Sequence, residues 1–286
     1  MSAKPAPPAQ RTVSVLGIPF DGNSSFLRGP AQAPKLIRQA LHSDSTNLWT
    51  EDGSDLSRDG AIHDTGDLEL PNESMAFAAI EAGVRRTLDL GHPLICLGGD
   101  HSISYPILKA FHARWPDLTI LHFDAHPDLY DQLGGNRLSH ACPFARIMEE
   151  RLARRLVQVG VRTMNGHQAE QAKRFGVEVI AMRDLANPPE VAGKFRFEGP
   201  LYISFDLDVL DPAFAPGVSH YEPGGMSVRD ALAIIQGLRV PIVGADIVEY
   251  NPLRDYQSQT AMISAKLLKE IAAAMMRSGE SPRKWP

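Results

Sequence analysis

Cysteine is nearly absent: 286 residues contain two, Cys96 and Cys142, with no pairing pattern. That excludes a disulfide-stapled scaffold and fits a reducing compartment, with the cytoplasm as the expected location. No run approaches the ~20 apolar residues of a membrane span. Basic residues do not outnumber acidic ones: 29 Lys and Arg against 34 Asp and Glu give a net charge of −5. The charge is spread along the chain, and no basic block or stripe marks a nucleic-acid surface. Internal repeats are missing, and low complexity is confined to the start. Met1–Arg11 is rich in Pro and Ala with no apolar stretch after its charge. It reads as a disordered tail, not a signal peptide. The length allows one large domain or two ordinary ones, with ample core.

What is present is alternation. Short apolar runs predict strands at Thr12–Gly17, Pro93–Leu97, Leu118–Phe123, Leu156–Gly160, Val177–Ala181, Leu201–Phe205 and Pro241–Ile247. Helical periodicity predicts helices at Ala33–Leu41, Met75–Leu90, Ile103–Ala113, Pro143–Arg155, Gln168–Phe175, Val228–Leu238 and Gln259–Arg277, with Ser227 and Ser258 as N-caps. The pattern implies an α/β fold with a mostly parallel central sheet and helices on both faces. Pro188–Pro189 and Pro212–Pro216 read as loops inside one domain.

Acidic clusters close several of these strands. Asp124-Ala125-His126-Pro127-Asp128 follows Leu118–Phe123, and Asp206-Leu207-Asp208 follows Leu201–Phe205. Asp100 and His101 follow Pro93–Leu97, and Asp246 and Glu249 end the last strand. Ligands in such folds bind beyond the carboxyl ends of strands. Side chains alternate along a strand, so Asp124, His126 and Asp128 are expected on one side, as are Asp206 and Asp208. Unpaired, buried carboxylates repel one another and cost on the order of several kcal/mol each to desolvate. Divalent cations remove that cost. His101, Asp124, His126, Asp128, Asp206 and Asp208 form an oxygen-rich set without cysteine, which suits Mn²⁺, with Ni²⁺, Co²⁺ or Fe²⁺ as alternatives. Two ions about 3.5–4 Å apart sharing carboxylates supply hydroxide near neutral pH, a nucleophile that needs no Ser or Cys.

These segments, with Gly98-Gly99-Asp100-His101-Ser102, Ser204–Pro212 and Asp246–Pro252, resemble the arginase/agmatinase (ureohydrolase) family. Gly17-Ile18-Pro19-Phe20, Arg28-Gly29-Pro30 and Ile37-Arg38 extend the resemblance over nearly the whole chain after residue 11. Leu138–Glu149, Gln158–Arg162 and Asp211–Gly225 look most like plant-type arginases. The resemblance implies a three-layer α/β/α catalytic domain over residues 12–286, assembled as a homotrimer or homohexamer, with two Mn²⁺ per subunit. It implies His101, Asp124, Asp128 and Asp206 around one ion, and Asp124, His126, Asp206 and Asp208 around the other. A metal-bridging hydroxide would then attack the guanidino carbon of a small substrate, agmatine or L-arginine, giving urea and a primary amine. Asp128 would pass a proton to the leaving amine, and His140 would shuttle protons or touch substrate. Independently of family, a carboxylate grips a planar guanidinium through paired hydrogen bonds, and Glu249 is placed to do so.

The far end of the substrate is less defined. Animal-type arginases carry a Thr-Gly-Thr-Pro pattern where this chain has Val218–Glu222, and an acidic residue where it has Thr163-Met164-Asn165. Asn136, Arg137, Ser139 and His220 are the candidate contacts. Other readings stand beside this one. Asp100 is read as a helix cap. A Cys142–His140 nucleophile pair is set aside, because the site makes its own nucleophile. His63, His92, His112, His122 and His167 are read as structural or surface. Alternative functions are hydrolysis of guanidinobutyrate or guanidinopropionate, a mononuclear zinc amide hydrolase or deacetylase, and a non-enzymatic regulatory member of the family.

Overall fold

The computed structural model describes residues 12–58, 60–185 and 197–277. The tail expected over residues 1–11 and the loop at Pro188–Pro189 lie outside them. In chain order the elements are β1 (Val13–Gly17), α1 (Ala33–Leu41), β2 (Ile62–Asp67), α2 (Glu73–Leu88), β3 (Leu94–Leu97), α3 (Ser104–His112), β4 (Thr119–Phe123), α4 (Pro143–Glu149), β5 (Arg155–Val161), α5 (Gly166–Phe175), β6 (Glu178–Ala181), β7 (Leu201–Asp206), α6 (Val228–Gly237), β8 (Ile242–Val248) and α7 (Gln259–Met276). The strands form one sheet in the order β2-β1-β3-β8-β7-β4-β5-β6. Every neighbouring pair is parallel.

Alternate strand residues feed two apolar layers. Val15, Leu97, Phe123, Val159 and Phe205 pack with α1, α6 and α7 on one face. Leu16, Leu94, Ile120, Leu156 and Tyr202 pack with α2, α3, α4 and α5 on the other. Each fully buried Leu or Phe contributes roughly 1.5–3 kcal/mol. Burial on both faces fixes the register that carries the polar strand ends.

Four expectations are corrected. β2 was not foreseen, because Ile-His-Asp-Thr-Gly-Asp is a half-exposed edge strand without an apolar pattern. The helix expected over Pro143–Arg155 stops at Glu149, and Arg155 already begins β5. Ser258 does not cap α7: it lies in the left-handed region and makes no capping bond. Asp255 holds that helix end instead, accepting the Thr260 and Ala261 amides at 2.9 and 3.1 Å. Ser227 does form a capping box, with Asp230. Finally, Asp124, His126 and Asp128 lie beyond β4, so turn geometry and not strand alternation aims them.

Candidate metal centre and active-site cleft

The chain leaves β3 for β4, and β8 and β7 later fill the gap between them. The ends of these four strands therefore converge at the point where strand order reverses, the usual ligand position of such sheets. Gly99 makes the first turn possible: a Cβ there would lie 1.6 Å from the Phe20 carbonyl oxygen. Asp100 is a latch. Its Oδ1 accepts the Ser102 amide at 3.1 Å, and its Oδ2 accepts the Asn23 amide at 2.9 Å and the Ser24 hydroxyl at 3.3 Å. Burial and the nearby Glu249 push its carboxyl up to about 6.

His101 is fully buried, with Nδ1 3.3 Å from Asp124, 3.1 Å from Asp128 and 3.1 Å from Asp206. No carboxylate is aligned to accept a hydrogen bond from that nitrogen. The other ring nitrogen is committed: Nε2 lies 3.0 Å from Ser204 Oγ, whose own proton goes to Asp246 at 2.7 Å. Asp246 also accepts from Tyr202 and Ser104, and so sits beneath the centre as a support. Ser204 can therefore only accept from His101, which places a proton on Nε2 and leaves Nδ1 facing three carboxylates, two from the loop after β4 and one from the end of β7. His126 repeats the arrangement, with Nδ1 3.0 Å from Asp208 and 3.4 Å from Asp124. All six expected ligands are thus brought together. The donor set, with an unsatisfied buried nitrogen amid carboxylates, fits divalent cations.

The electrostatics point the same way. Burial and the charges of Asp208 and Asp124 push Asp206 well above the usual carboxylate range. Burial raises Asp208 as well, against the pull of His126. Burial would raise Asp124 too, but His122, His101 and His126 outweigh it and hold that carboxyl well down. Burial opposes a charge on His101, yet its three carboxylates win and raise it. A proton there stands where a cation would relieve the same repulsion. Asp128, at φ 49°, and Glu249, at φ 64°, are non-glycine residues in the left-handed region. Each costs about 1–3 kcal/mol of backbone strain, which functional sites retain when surrounding packing holds it.

A cavity of about 180 Å³ opens over the cluster, lined by His126, Asp128, Asp206, Asp208, His140, His220, Glu249, Ser25, Tyr130, Leu133, Ala141, Thr163 and Gln168. Glu249 Oε1 accepts from the His101 amide and from His140 Nδ1, both at 2.8 Å, leaving Oε2 for a ligand. Burial opposes a charge on His140, but Glu249 raises its pKa to about 9. Its Nε2 meets Ser25 Oγ at 2.8 Å, a contact no sequence pattern announced. His220 stands at the mouth, its ring centre 5.1 Å from that of His140, and burial keeps it below its usual pKa. Asn136 does not line this cavity; it bonds Asn23 and lines a neighbouring depression with Ser139. Arg137 is tied to Asp131 and Glu149. Burial and Asp128 push the Cys142 thiol up to about 12, so it offers no thiolate. His122, read from sequence as structural or surface, is buried 2.8 Å from Asp124.

The family model described as "Arginase family" matches residues 11–274. Arginase 1, mitochondrial, of Arabidopsis thaliana is 46% identical over 283 residues, covering 94% of this chain and 82% of that protein. An agmatinase of Bacillus anthracis is 34% identical over 267 residues, covering 91% of this chain and 90% of that protein. The solved arginase from Medicago truncatula superposes with a TM-score of 0.87 at 43% identity, covering 93% of this chain and 88% of that one.

Proposed function

The chain belongs to the arginase family, and on that premise we propose that it is a binuclear metal-dependent amidinohydrolase that cleaves the guanidino group of a small substrate to urea and a primary amine. The observation that carries this reading is His101 Nδ1, bare toward Asp124, Asp128 and Asp206 at 3.1–3.3 Å, under a cavity whose wall is Glu249. His101, Asp124, Asp128 and Asp206 would hold one ion, and Asp124, His126, Asp206 and Asp208 the other. Mn²⁺ is the proposed metal, with Ni²⁺, Co²⁺ and Fe²⁺ as alternatives. When bound, such a pair balances the carboxylates and makes water acidic enough to serve as a nucleophile near neutral pH.

The chain's own residues do the rest. Glu249 Oε2 grips the guanidinium while Oε1 stays anchored to His101 and His140, which aims the carbon at the cluster. Asp128 takes a proton at its carboxylate from the attacking water and returns it to the leaving nitrogen. His140, flanked by Glu249 and Ser25, holds a proton at the cavity wall. The walls bury the guanidinium, which strengthens these contacts.

L-Arginine is the first proposed substrate, in line with the names of the more similar relatives. Agmatine is the second. It is favoured by one observation: among the described residues lining the cavity, none is Lys or Arg to meet a carboxylate. A trimer or hexamer in a reducing compartment is part of the proposal; no described helix is long and apolar enough to cross a membrane. The test is urea release by the Mn²⁺-loaded protein with L-arginine, agmatine, guanidinobutyrate and guanidinopropionate side by side. Urea from L-arginine or agmatine is expected; no urea from any of the four overturns the reading.

A further inference from the structure

One row of polar side chains crosses the sheet directly beneath the cluster. Gln158 on β5 pairs in register with His122 on β4, His122 with Ser204 on β7, and Ser204 with Asp246 on β8. Asp246 and Ser204 serve His101, as described. The other half of the row has no assigned purpose, yet all of it is fully buried.

Gln158 Nε2 donates to the Pro127 carbonyl at 2.7 Å and lies 3.0 Å from His122 Nδ1. Turning the amide over would set Oε1 against that carbonyl, so the nitrogen's place is fixed. An amide nitrogen only donates, so His122 Nδ1 must accept, and the neutral ring must carry its proton on Nε2. That nitrogen lies 2.8 Å from Asp124 Oδ2. Asp124 Oδ1 meanwhile accepts the His126 amide at 2.6 Å, so each of its oxygens has a donor from this chain. Phe144 stacks on His122 with ring centres 3.9 Å apart and blocks rotation of the imidazole. Gln158 Oε1 is left without a partner, so the amide is set for its two donors at the expense of its acceptor.

We infer that Gln158 is a positioning residue for the proposed metal centre, fixing His122 as the Nε2–H tautomer, and through it the Asp124 carboxylate, while pinning the Pro127 carbonyl that leads into the strained Asp128. The inference rests on the metal reading above. It also makes His122 a donor to a ligand and not a ligand, although its ring lies close enough to His101 and Asp124 to be counted with them. Both its nitrogens are spent.

The experiment compares full-length wild type with Gln158→Leu, both stripped by chelation and titrated with Mn²⁺ in a calorimeter. The leucine keeps the volume and removes both donors. Supports of this kind govern metal affinity by about 10–100-fold, and a loss in that range is expected. The rise in melting temperature on adding Mn²⁺ should shrink in the variant, whereas loss of packing alone would lower the metal-free and loaded proteins equally. The ¹⁵N shifts of His122 in the wild type read the tautomer directly and serve even if the variant fails to fold; a bare Nδ1 is expected. Equal Mn²⁺ affinity in the two proteins, or a wild-type His122 protonated on Nδ1, overturns the inference and leaves the metal reading standing. No binding of Mn²⁺, Ni²⁺, Co²⁺ or Fe²⁺ by wild type overturns both.

Discussion

Replacing Glu249 by Gln isolates one oxygen. The amide oxygen can still accept the His101 N–H and the His140 Nδ1–H, each at 2.8 Å, so the local shape is kept. What changes is the atom at Oε2, where an NH₂ would now face the cavity. A guanidinium has no acceptor, so a charge-assisted bond becomes donor against donor. A hydrogen bond to a charged group contributes about 1.5–3 kcal/mol, and a buried group left unsatisfied costs about 1–3 more. Taking ~3 kcal/mol, at ~1.4 kcal/mol per decade, kcat/KM should fall at least about a hundredfold. Glu249 contributes none of the six proposed ligands, so both metals should remain. The assay is urea release with L-arginine and agmatine, alongside metal content per chain. A kcat/KM within about tenfold of wild type with both metals bound would refute the role given to Glu249.

Asp128→Asn should abolish turnover, because it removes both a proposed ligand and the proton carrier; urea release within about tenfold of wild type would refute that assignment. His140 supplies a test of stability against pH. Its folded pKa of about 9 lies above the unfolded value of ~6.5, so its pairing with Glu249 stabilises fully below about pH 6.5 and is lost as pH rises through about 9. The metal-free wild type should therefore lose melting temperature between about pH 7 and 10 more steeply than His140→Gln, and equal slopes would contradict the pairing. Urea release should climb from about pH 6 toward the alkaline side as the attacking water loses its proton, and a flat profile would contradict a water nucleophile.

Seven of the eight strands were legible as short apolar runs; six are buried on both faces, such as Thr119–Phe123, and β6, half-buried at the other edge, still keeps its apolar residues. β2 was not, because its side chains sit at an edge and half in solvent. Its place is set by pairing with β1 and by Arg38, which reaches across to Asp64 and Asp67. No local pattern encodes a partner that far away. The helix over Pro143–Glu149 was overrun for a related reason. Helical propensity continues to Arg155, but Leu156 and Val157 are claimed by the sheet, and tertiary burial outweighs propensity.

The expected ligands were legible because charge at the end of an apolar strand has few other uses. Their supports were not. Gln158, His122 and Ser204 each interrupt an apolar run singly, and in a linear sequence each reads as a tolerated polar residue; Asp246 stood out as an acid near a strand end, but not as a support. Only the register of β5, β4, β7 and β8 shows them as one row. Inside that row, hydrogen bonds decide which nitrogen of each histidine is bare: Nδ1 of His101 turns to the carboxylates, while Nδ1 of His122 turns away to Gln158. Two buried imidazoles, with ring centres 5.0 Å apart, are thereby read as ligand and donor. Residue type alone would give them the same role. The neighbours that separate them are an amide and a hydroxyl, each held in one orientation by a partner of its own: Gln158 by the Pro127 carbonyl and Ser204 by Asp246.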